Sequence, residues 1–234
     1  MLHKSNFSIK AAVANCSGAI EADTISKNGR SLKSQMSKEN IGRKLVCLFA
    51  LIWTFSFTSF AQQYDSENDF EVIQVMSNAA ISKYKGNKQK VNIPPEIQGM
   101  SVSTIGSGVF ANKDLISINL PSSVRFLEKG AFYNNYLASI TLPNVINIRA
   151  DVFNYNELTS VTIPKVMHIT ATAFHNNPIT KITIGSNVQF HTYGEDGVTY
   201  NTAFDNGFDA FYISQGRLAG TYTYSNGRWS FVGQ

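Results

Sequence analysis

The stretches AFYNNYLASITLPNVINIRAD (Ala131–Asp151) and VFNYNELTSVTIPKVMHITAT (Val152–Thr172) align column for column without a gap. The pattern continues outward in both directions. VFANKDLISINLPSSVRFLEKG (Val109–Gly130) precedes them and AFHNNPITKITIGSNVQF follows from Ala173, so the unit starts are 22, 21 and 21 residues apart. A partial unit, Val91–Gly108, comes first. Repetition at this period predicts a chain wound into stacked coils, none of which can bury its faces alone.

Each column has a physical task. Phe110, Phe132, Phe153 and Phe174 recur once per coil and predict a stacked aromatic spine. Leu115, Leu137, Leu158 and Ile179 are followed three residues on by Ile118, Ile140, Val161 and Ile182, and two further on by Leu120, Leu142, Ile163 and Ile184. The last two columns alternate with polar residues, the period of a short strand with one apolar face turned inward. Proline lacks the N–H that a ladder needs, so Pro94, Pro121, Pro143 and Pro164 predict the corner that closes the strand. A second pair, Val102/Ile105, Val124/Leu127, Val145/Ile148 and Val166/Ile169, predicts a second extended side.

Asparagines crowd the turn after the phenylalanine: Asn112, Asn134-Asn135, Asn156 and Asn176-Asn177. Their amides satisfy turn backbone that no ladder reaches and tolerate unusual dihedrals, so a structural role is expected over a metal or glycan role.

The array needs an end at each side. Phe70 to Val75 and Ala80 to Tyr84 read as a strand pair meeting at Ser77-Asn78, with basic residues over 86–90 blunting an edge. Beyond the array, Phe204 to Tyr212 predicts a short helix. Residues 221–224 and 228–232 flank Ser225-Asn226-Gly227, which carries the Asn-Gly hairpin signal. The fold class is thus a mainly β repeat solenoid with parallel strands, capped at both ends. Its expected limits are 62–90 for the N-terminal cap, 91–190 for the array and 191–234 for the C-terminal cap.

The columns resemble the BspA-like leucine-rich repeats of bacterial surface and secreted proteins. The family pattern of a strand and proline, Val-x-x-Ile, Ala-Phe and an asparagine turn is seen in Leu137 to Pro143 followed by Val145 to Ile148. The fourth unit departs from it: Gly185 stands in place of the proline and His191 at the expected inner apolar position. The resemblance implies a non-catalytic binding module of the kind associated with adhesion to host matrix proteins and with cell–cell contact.

Ahead of the array, Arg43-Lys44, an uncharged run from Leu45 to Phe60, and Ser59-Phe60-Ala61 before Gln62 have the three-part layout of a secretory signal peptide. The expected signal is 36–61 with cleavage after Ala61, and residues 1–35 are expected to be an over-extended gene start. The run is shorter than the ~20 residues of a spanning helix, so the membrane is expected to matter only before cleavage. The location expected is exported: extracellular, at the cell surface, or periplasmic.

The net charge of +4 is misleading, because residues 1–61 hold 8 of the 20 Lys+Arg and 3 of the 16 Asp+Glu. The remaining chain has a net charge of −1 and no basic stripe, so nucleic acid is not an expected partner. Both cysteines, Cys16 and Cys47, precede the expected cleavage, which leaves no disulfide or thiolate site after it.

A search for chemistry finds little. His168, His175 and His191 are not at metal-ligand spacing, and Asp205 to Asp209 lacks the ligand alternation and closing glutamate of a calcium loop. Gly106-Ser107-Gly108 has no third glycine and no following helix. Glu195-Asp196-Gly197 reads as a solvated turn. No enzyme, cofactor or metal is expected.

The expected protein-binding face is the outward side of the strands: Ser117, Ser139, Ser160 and Lys181, with Asn119, Thr141, Thr162 and Thr183 beside them. The expected partner is a protein, such as a host matrix or another cell-surface protein. A second face carries Arg125/Phe126, Ile146/Asn147, Met167/His168 and Gln189/Phe190. The alternative partner is a glycan stacking on Tyr193, Tyr200, Tyr222, Tyr224 and Trp229.

Overall fold

A computed structural model describes residues 63–195 and 198–233; the expected gene start, signal peptide and cleavage site, together with Asp196 and Gly197, lie outside them. The repeat columns become a solenoid in which each coil has two extended sides. Along one side run β3 (Lys90–Asn92), β6 (Ser117–Asn119), β8 (Ser139–Thr141), β10 (Ser160–Ile163) and β12 (Lys181–Ile184). Along the other run β5 (Met100–Ile105), β7 (Phe126–Leu127), β9 (Asn147–Ile148), β11 (His168–Thr170) and β13 (Gln189–His191). Stacking makes each side a parallel ladder: β8-β10-β12 on the first and β5-β7-β9-β11-β13 on the second. On the first side, β3 and β6 pair as a separate two-stranded sheet.

The spine forms as the columns require. Phe110, Phe132, Phe153 and Phe174 are fully buried, their rings stacked at 5.4, 5.3 and 5.3 Å. Beside it the asparagines do structural work. Asn156 Oδ1 accepts the Leu137 N–H at 3.1 Å, and its amide donates to the carbonyls of Phe132 and Phe153 at 3.0 and 3.1 Å. Asn135 and Asn177 repeat the arrangement one coil to either side. One carbonyl partner of each amide lies on the preceding coil and the other on its own, so the turns are tied to one another where no ladder reaches. Asn112, Asn134 and Asn176 take φ near 54° (54, 53 and 54°), which asparagine tolerates better than most residues. The one extra residue of the 22-residue coil falls at Ser122-Ser123, and the Ser123 hydroxyl is left buried without a partner among the described residues.

The caps use different devices. At the N-terminal end β1 (Phe70–Val75) and β2 (Asn78–Tyr84) form an antiparallel pair, and β2 runs parallel to β5. Met76 takes φ 54°, so the turn is at Met76-Ser77 and Asn78 already belongs to the strand. Tyr84 continues the spine onto Phe110 at 5.0 Å, and Phe70 covers Tyr84 at 5.5 Å. A short bridging pair, β4 (Glu96–Ile97) against β5, closes the opening coil.

At the C-terminal end two features differ from expectation. The helix α1 spans Phe208–Ser214 and does not begin at Phe204, because Phe204 stacks on Phe174 at 4.7 Å and ends the spine. Asp209 on α1 accepts the N–H groups of Ala203 and Phe204 at 2.8 and 3.0 Å, which fixes that terminal ring. Second, His191 is exposed. The parallel register sets Phe190, not His191, beside Ile169, because Val188 and the next inward residue are two apart here instead of three.

A small hairpin, β14 (Tyr193–Glu195) and β15 (Val198–Tyr200), follows. The expected hairpin is β16 (Gly220–Ser225) and β17 (Arg228–Gly233), turning at Asn226 and Gly227 with φ 51 and 75°. Less expected is where it goes: β16 pairs antiparallel with β12, so the sheet continues past the last coil and the β12 edge is covered. Gly185 now has a reason. A Cβ there would lie 2.4 Å from the Pro164 carbonyl oxygen, and its own carbonyl accepts the Tyr212 hydroxyl at 2.6 Å. Among the described residues no helix is long and apolar enough to cross a membrane.

Candidate functional site

The alternation that sends Ile140, Val161 and Ile182 into the core sends their neighbours outward. Ser139, Ser160 and Lys181 form one row across β8, β10 and β12, and Thr141, Thr162 and Thr183 form the next. Ser117 and Asn119 have the same outward sense but stand on β6, which pairs with β3, so the structure does not bring them into the same hydrogen-bonded sheet. Ser117, Asn119, Ser139, Thr141 and Lys181 are exposed, whereas Ser160, Thr162 and Thr183 are half-buried between neighbouring strands. The hairpin lengthens both rows: Thr223 and Ser230 follow Lys181, and Thr221 follows Thr183.

The hydroxyls divide into two groups. At the hairpin end they bond to one another, Thr183 with Thr221 at 3.0 Å and Thr223 with Ser230 at 3.0 Å. Among the described residues, the hydroxyls of Ser139, Thr141, Ser160 and Thr162 engage no protein group. These four sit side by side on a backbone held by the ladder, with short side chains that lose little freedom on being covered.

The opposite sheet presents a different chemistry. Phe126 and Met167 are exposed, at 43 and 56%. Asn147 and His168 continue the Phe126 row, while Phe190, expected on this outer face, turns inward and packs edge-on to Tyr212 at 5.9 Å. Beside the row lies an open recess lined by Glu128, Arg149, His168, Thr170 and His191, among others. Arg149 approaches Glu128 at 3.9 Å, and the Lys129 ammonium stands 4.9 Å over the Tyr193 ring.

Six copies of the BspA type leucine rich repeat region match residues 78–194, half of the chain. The protein belongs to the BspA-type leucine-rich-repeat family. Among solved structures, a T. pallidum leucine rich repeat protein shares 18% identity over 55% of this chain and 86% of its own, with a TM-score of 0.35. A leucine rich cell surface protein of Faecalibacterium prausnitzii shares 19% identity over 61% of this chain, which spans 59% of that protein, with a TM-score of 0.29. No match was found among curated proteins.

Around this BspA-type array, several sequence motifs resolve into packing. Asp205 Oδ2 accepts the Asn176 N–H at 2.7 Å, and both oxygens of Asp209 are taken by backbone, so Asp205 to Asp209 is a clasp between the last coil and α1. Burial pushes the Asp209 carboxyl above the usual carboxylate range, against those N–H groups, which pull it down. Of the aromatics weighed as glycan platforms, Tyr222 and Trp229 are buried against Phe208, at 5.4 and 4.9 Å. Tyr224 is half-buried over Trp229, and Tyr193 and Tyr200 stack on each other at 6.3 Å.

Two features of this surface escaped the sequence. One is the extension of the hydroxyl rows by Thr221, Thr223 and Ser230. The alternation at Thr221-Tyr222-Thr223 was a signal, but nothing said which edge it would join. The other is the contact of His168 with His191, whose ring nitrogens are 2.9 Å apart although the residues are 23 positions apart. The 21-residue period was the signal, since it puts position 189 beside 168 and therefore 191 diagonally across from it.

Proposed function

We propose that the protein is an exported, non-catalytic binding module whose hydroxyl-lined sheet receives a protein partner, with Ser139, Thr141, Ser160 and Thr162 at the centre of the contact. Ser117 and Asn119 flank it at one end, and Lys181 and Thr183 at the other. The observation that carries this reading is the set of four adjacent hydroxyls that engage no protein group among the described residues, beside neighbours that are already paired. A neutral ladder of donors and acceptors suits a polar protein surface that approaches closely. Family membership supports a repeat module built for interaction. A surface or secreted location accords with the signal-like segment at 36–61.

The test has two parts. A panel of matrix and cell-surface proteins run beside a glycan array identifies the ligand class; binding only on the glycan array would replace this reading with a carbohydrate-binding one. The Ser139→Arg/Thr162→Arg variant then adds bulk and charge without touching an inward column. Affinity should fall at least tenfold, or about 1.4 kcal/mol. Unchanged affinity at equal foldedness would move the contact to the Phe126–Met167 side. N-terminal sequencing of the exported protein should find Gln62 first, and a chain still beginning near Met36 would remove the cleavage step.

A further inference from the structure

The solenoid brings together two imidazoles that stand 23 positions apart in the sequence. His168 lies at the start of β11 and His191 at the end of β13, and these strands are direct parallel neighbours. Both rings are on the outer face of the sheet, and His168 Nδ1 is 2.9 Å from His191 Nε2, with ring centroids 5.1 Å apart. We propose that His168 and His191 form a bidentate surface site for a divalent transition metal, with Cu²⁺ as the preferred ion.

The argument is geometric. Imidazole nitrogens bind such metals at roughly 2.0–2.1 Å. Two of them at right angles around one ion are then about 2.8–3.0 Å apart, whereas a tetrahedral ion spreads them to about 3.3–3.4 Å. The metal-free separation of 2.9 Å is that of a hydrogen bond between the rings, and it needs almost no change to become the spacing of adjacent positions in a tetragonal site, the geometry of Cu²⁺ and Ni²⁺. Imidazole suits both ions, and the order of divalent affinities places Cu²⁺ first.

The backbone carrying the rings is already held by the ladder, so little order has to be created on binding. Each ring contributes one lone pair. In the complex the facing nitrogen of each ring is the ligand and the ring proton sits on the distal nitrogen.

The surroundings set limits. Among the described residues no third His, Cys, Asp or Glu joins the pair in a metal-holding group, so water or a partner's donor completes the sphere. The recess beside the rings, about 690 Å³, has room for either. Lys129 and Arg149 line it and oppose a dication, while Glu128, 3.9 Å from Arg149, offsets part of that charge. A modest affinity follows, well below that of a closed four-ligand site.

The experiment titrates Cu²⁺, Ni²⁺ and Zn²⁺ into the exported protein, begun at Gln62 as proposed above so that His3, Cys16 and Cys47 cannot compete for the metal, and into its His168→Gln, His191→Gln and His175→Gln variants. Calorimetry gives affinity, and electron paramagnetic resonance counts the nitrogens on Cu²⁺. Wild type should show one site with two coupled imidazole nitrogens and bind Cu²⁺ tightest. His168→Gln and His191→Gln should each weaken that site at least tenfold. His175→Gln should leave it intact, because His175 bonds to Thr202 instead. Independently of any variant, paramagnetic broadening of wild-type imidazole resonances should strike His168 and His191 before His175. Either His168→Gln or His191→Gln binding Cu²⁺ as wild type does, broadening centred elsewhere, or Zn²⁺ binding more tightly than Cu²⁺ would overturn the proposal.

Discussion

The interior coils and the C-terminal cap bury aromatic rings against the same spine by opposite means. In the coils every ring has an equivalent ring above and below, as Phe153 has in Phe132 and Phe174 at 5.3 Å each. Each turn is likewise bonded to its neighbour through an asparagine. In the cap nothing repeats. Phe204 stacks on the spine on one side only and meets Phe208 edge-on at 5.0 Å on the other. Tyr222 and Trp229 arrive from a hairpin whose first strand, β16, runs antiparallel to β12 of the last coil. Repetition therefore distributes stability evenly along the array, whereas the cap depends on a few dissimilar contacts that close the last edge.

The sharpest way to break this comparison is to remove a ring from each region. Phe153→Ala should cost about 3–5 kcal/mol, because a cavity in a fully buried stack cannot collapse while both neighbouring coils hold their places. The loss should appear as a lower midpoint of one cooperative melt. Phe204→Ala should instead release the cap first, seen as hydrogen exchange in α1, β16 and β17 rising ahead of that in the coils. A single unchanged transition for Phe153→Ala, or uniform exchange for Phe204→Ala, would show that the two regions do not differ in this way.

The difference also explains what could be read from the sequence. The spine, both strand sides and the proline corners were legible because each column is sampled four times, and chance does not repeat at 21 residues. The asparagines were legible as turn chemistry, though not that Asn135, Asn156 and Asn177 each bond back to the preceding coil. Where repetition stops, legibility stops with it. The two-residue step from Val188 to Phe190 turned His191 outward, and no column existed to show it. The docking of β16 on β12 joins residues as far apart as Thr183 and Thr221, with no period between them. The candidate site shares this division: its interior rows were visible, its hairpin rows and the facing histidines were not.

A smaller effect is expected at the joint between the regions. Asp209→Asn puts an amide where a carboxylate accepts two N–H groups, so one of Ala203 or Phe204 loses its acceptor, at about 1–3 kcal/mol near neutral pH. The pH dependence has a definite sign. Burial raises this carboxyl above its ordinary 3.8, so the folded state holds the proton more tightly than the unfolded chain does. The associated stability is fully present below that ordinary value and is lost as pH rises through the folded pKa. Denaturant titrations of wild type and Asp209→Asn across mildly acidic pH should therefore show their difference shrinking as pH rises through that window, then levelling. A difference that grows with pH over the same range would mean that the backbone donors outweigh burial.

The smallest effect separates the regions on the hydroxyl sheet itself. Thr162 and Thr183 face each other across β10 and β12 in the same row, both half-buried and both in strands. They differ in what the hydroxyl does. The Thr162 hydroxyl bonds to no protein group among the described residues, whereas the Thr183 hydroxyl shares a 3.0 Å hydrogen bond with Thr221 of the cap hairpin. Valine keeps the β-branched shape and removes only the hydroxyl, so Thr162→Val should leave stability within about 0.5 kcal/mol of wild type. Thr183→Val should cost about 0.5–1.5 kcal/mol, the net worth of an ordinary hydrogen bond. That cost should register mainly in β16 and β17. Binding should respond in the reverse order, since only Thr162 has its hydroxyl uncommitted: Thr162→Val should weaken a partner on this sheet more than Thr183→Val does. Equal stabilities would mean that the backbone ladder alone holds the hairpin. Equal affinities would mean that a partner does not distinguish the free hydroxyls from the paired ones, and the centre of the contact would have to be sought elsewhere on the sheet.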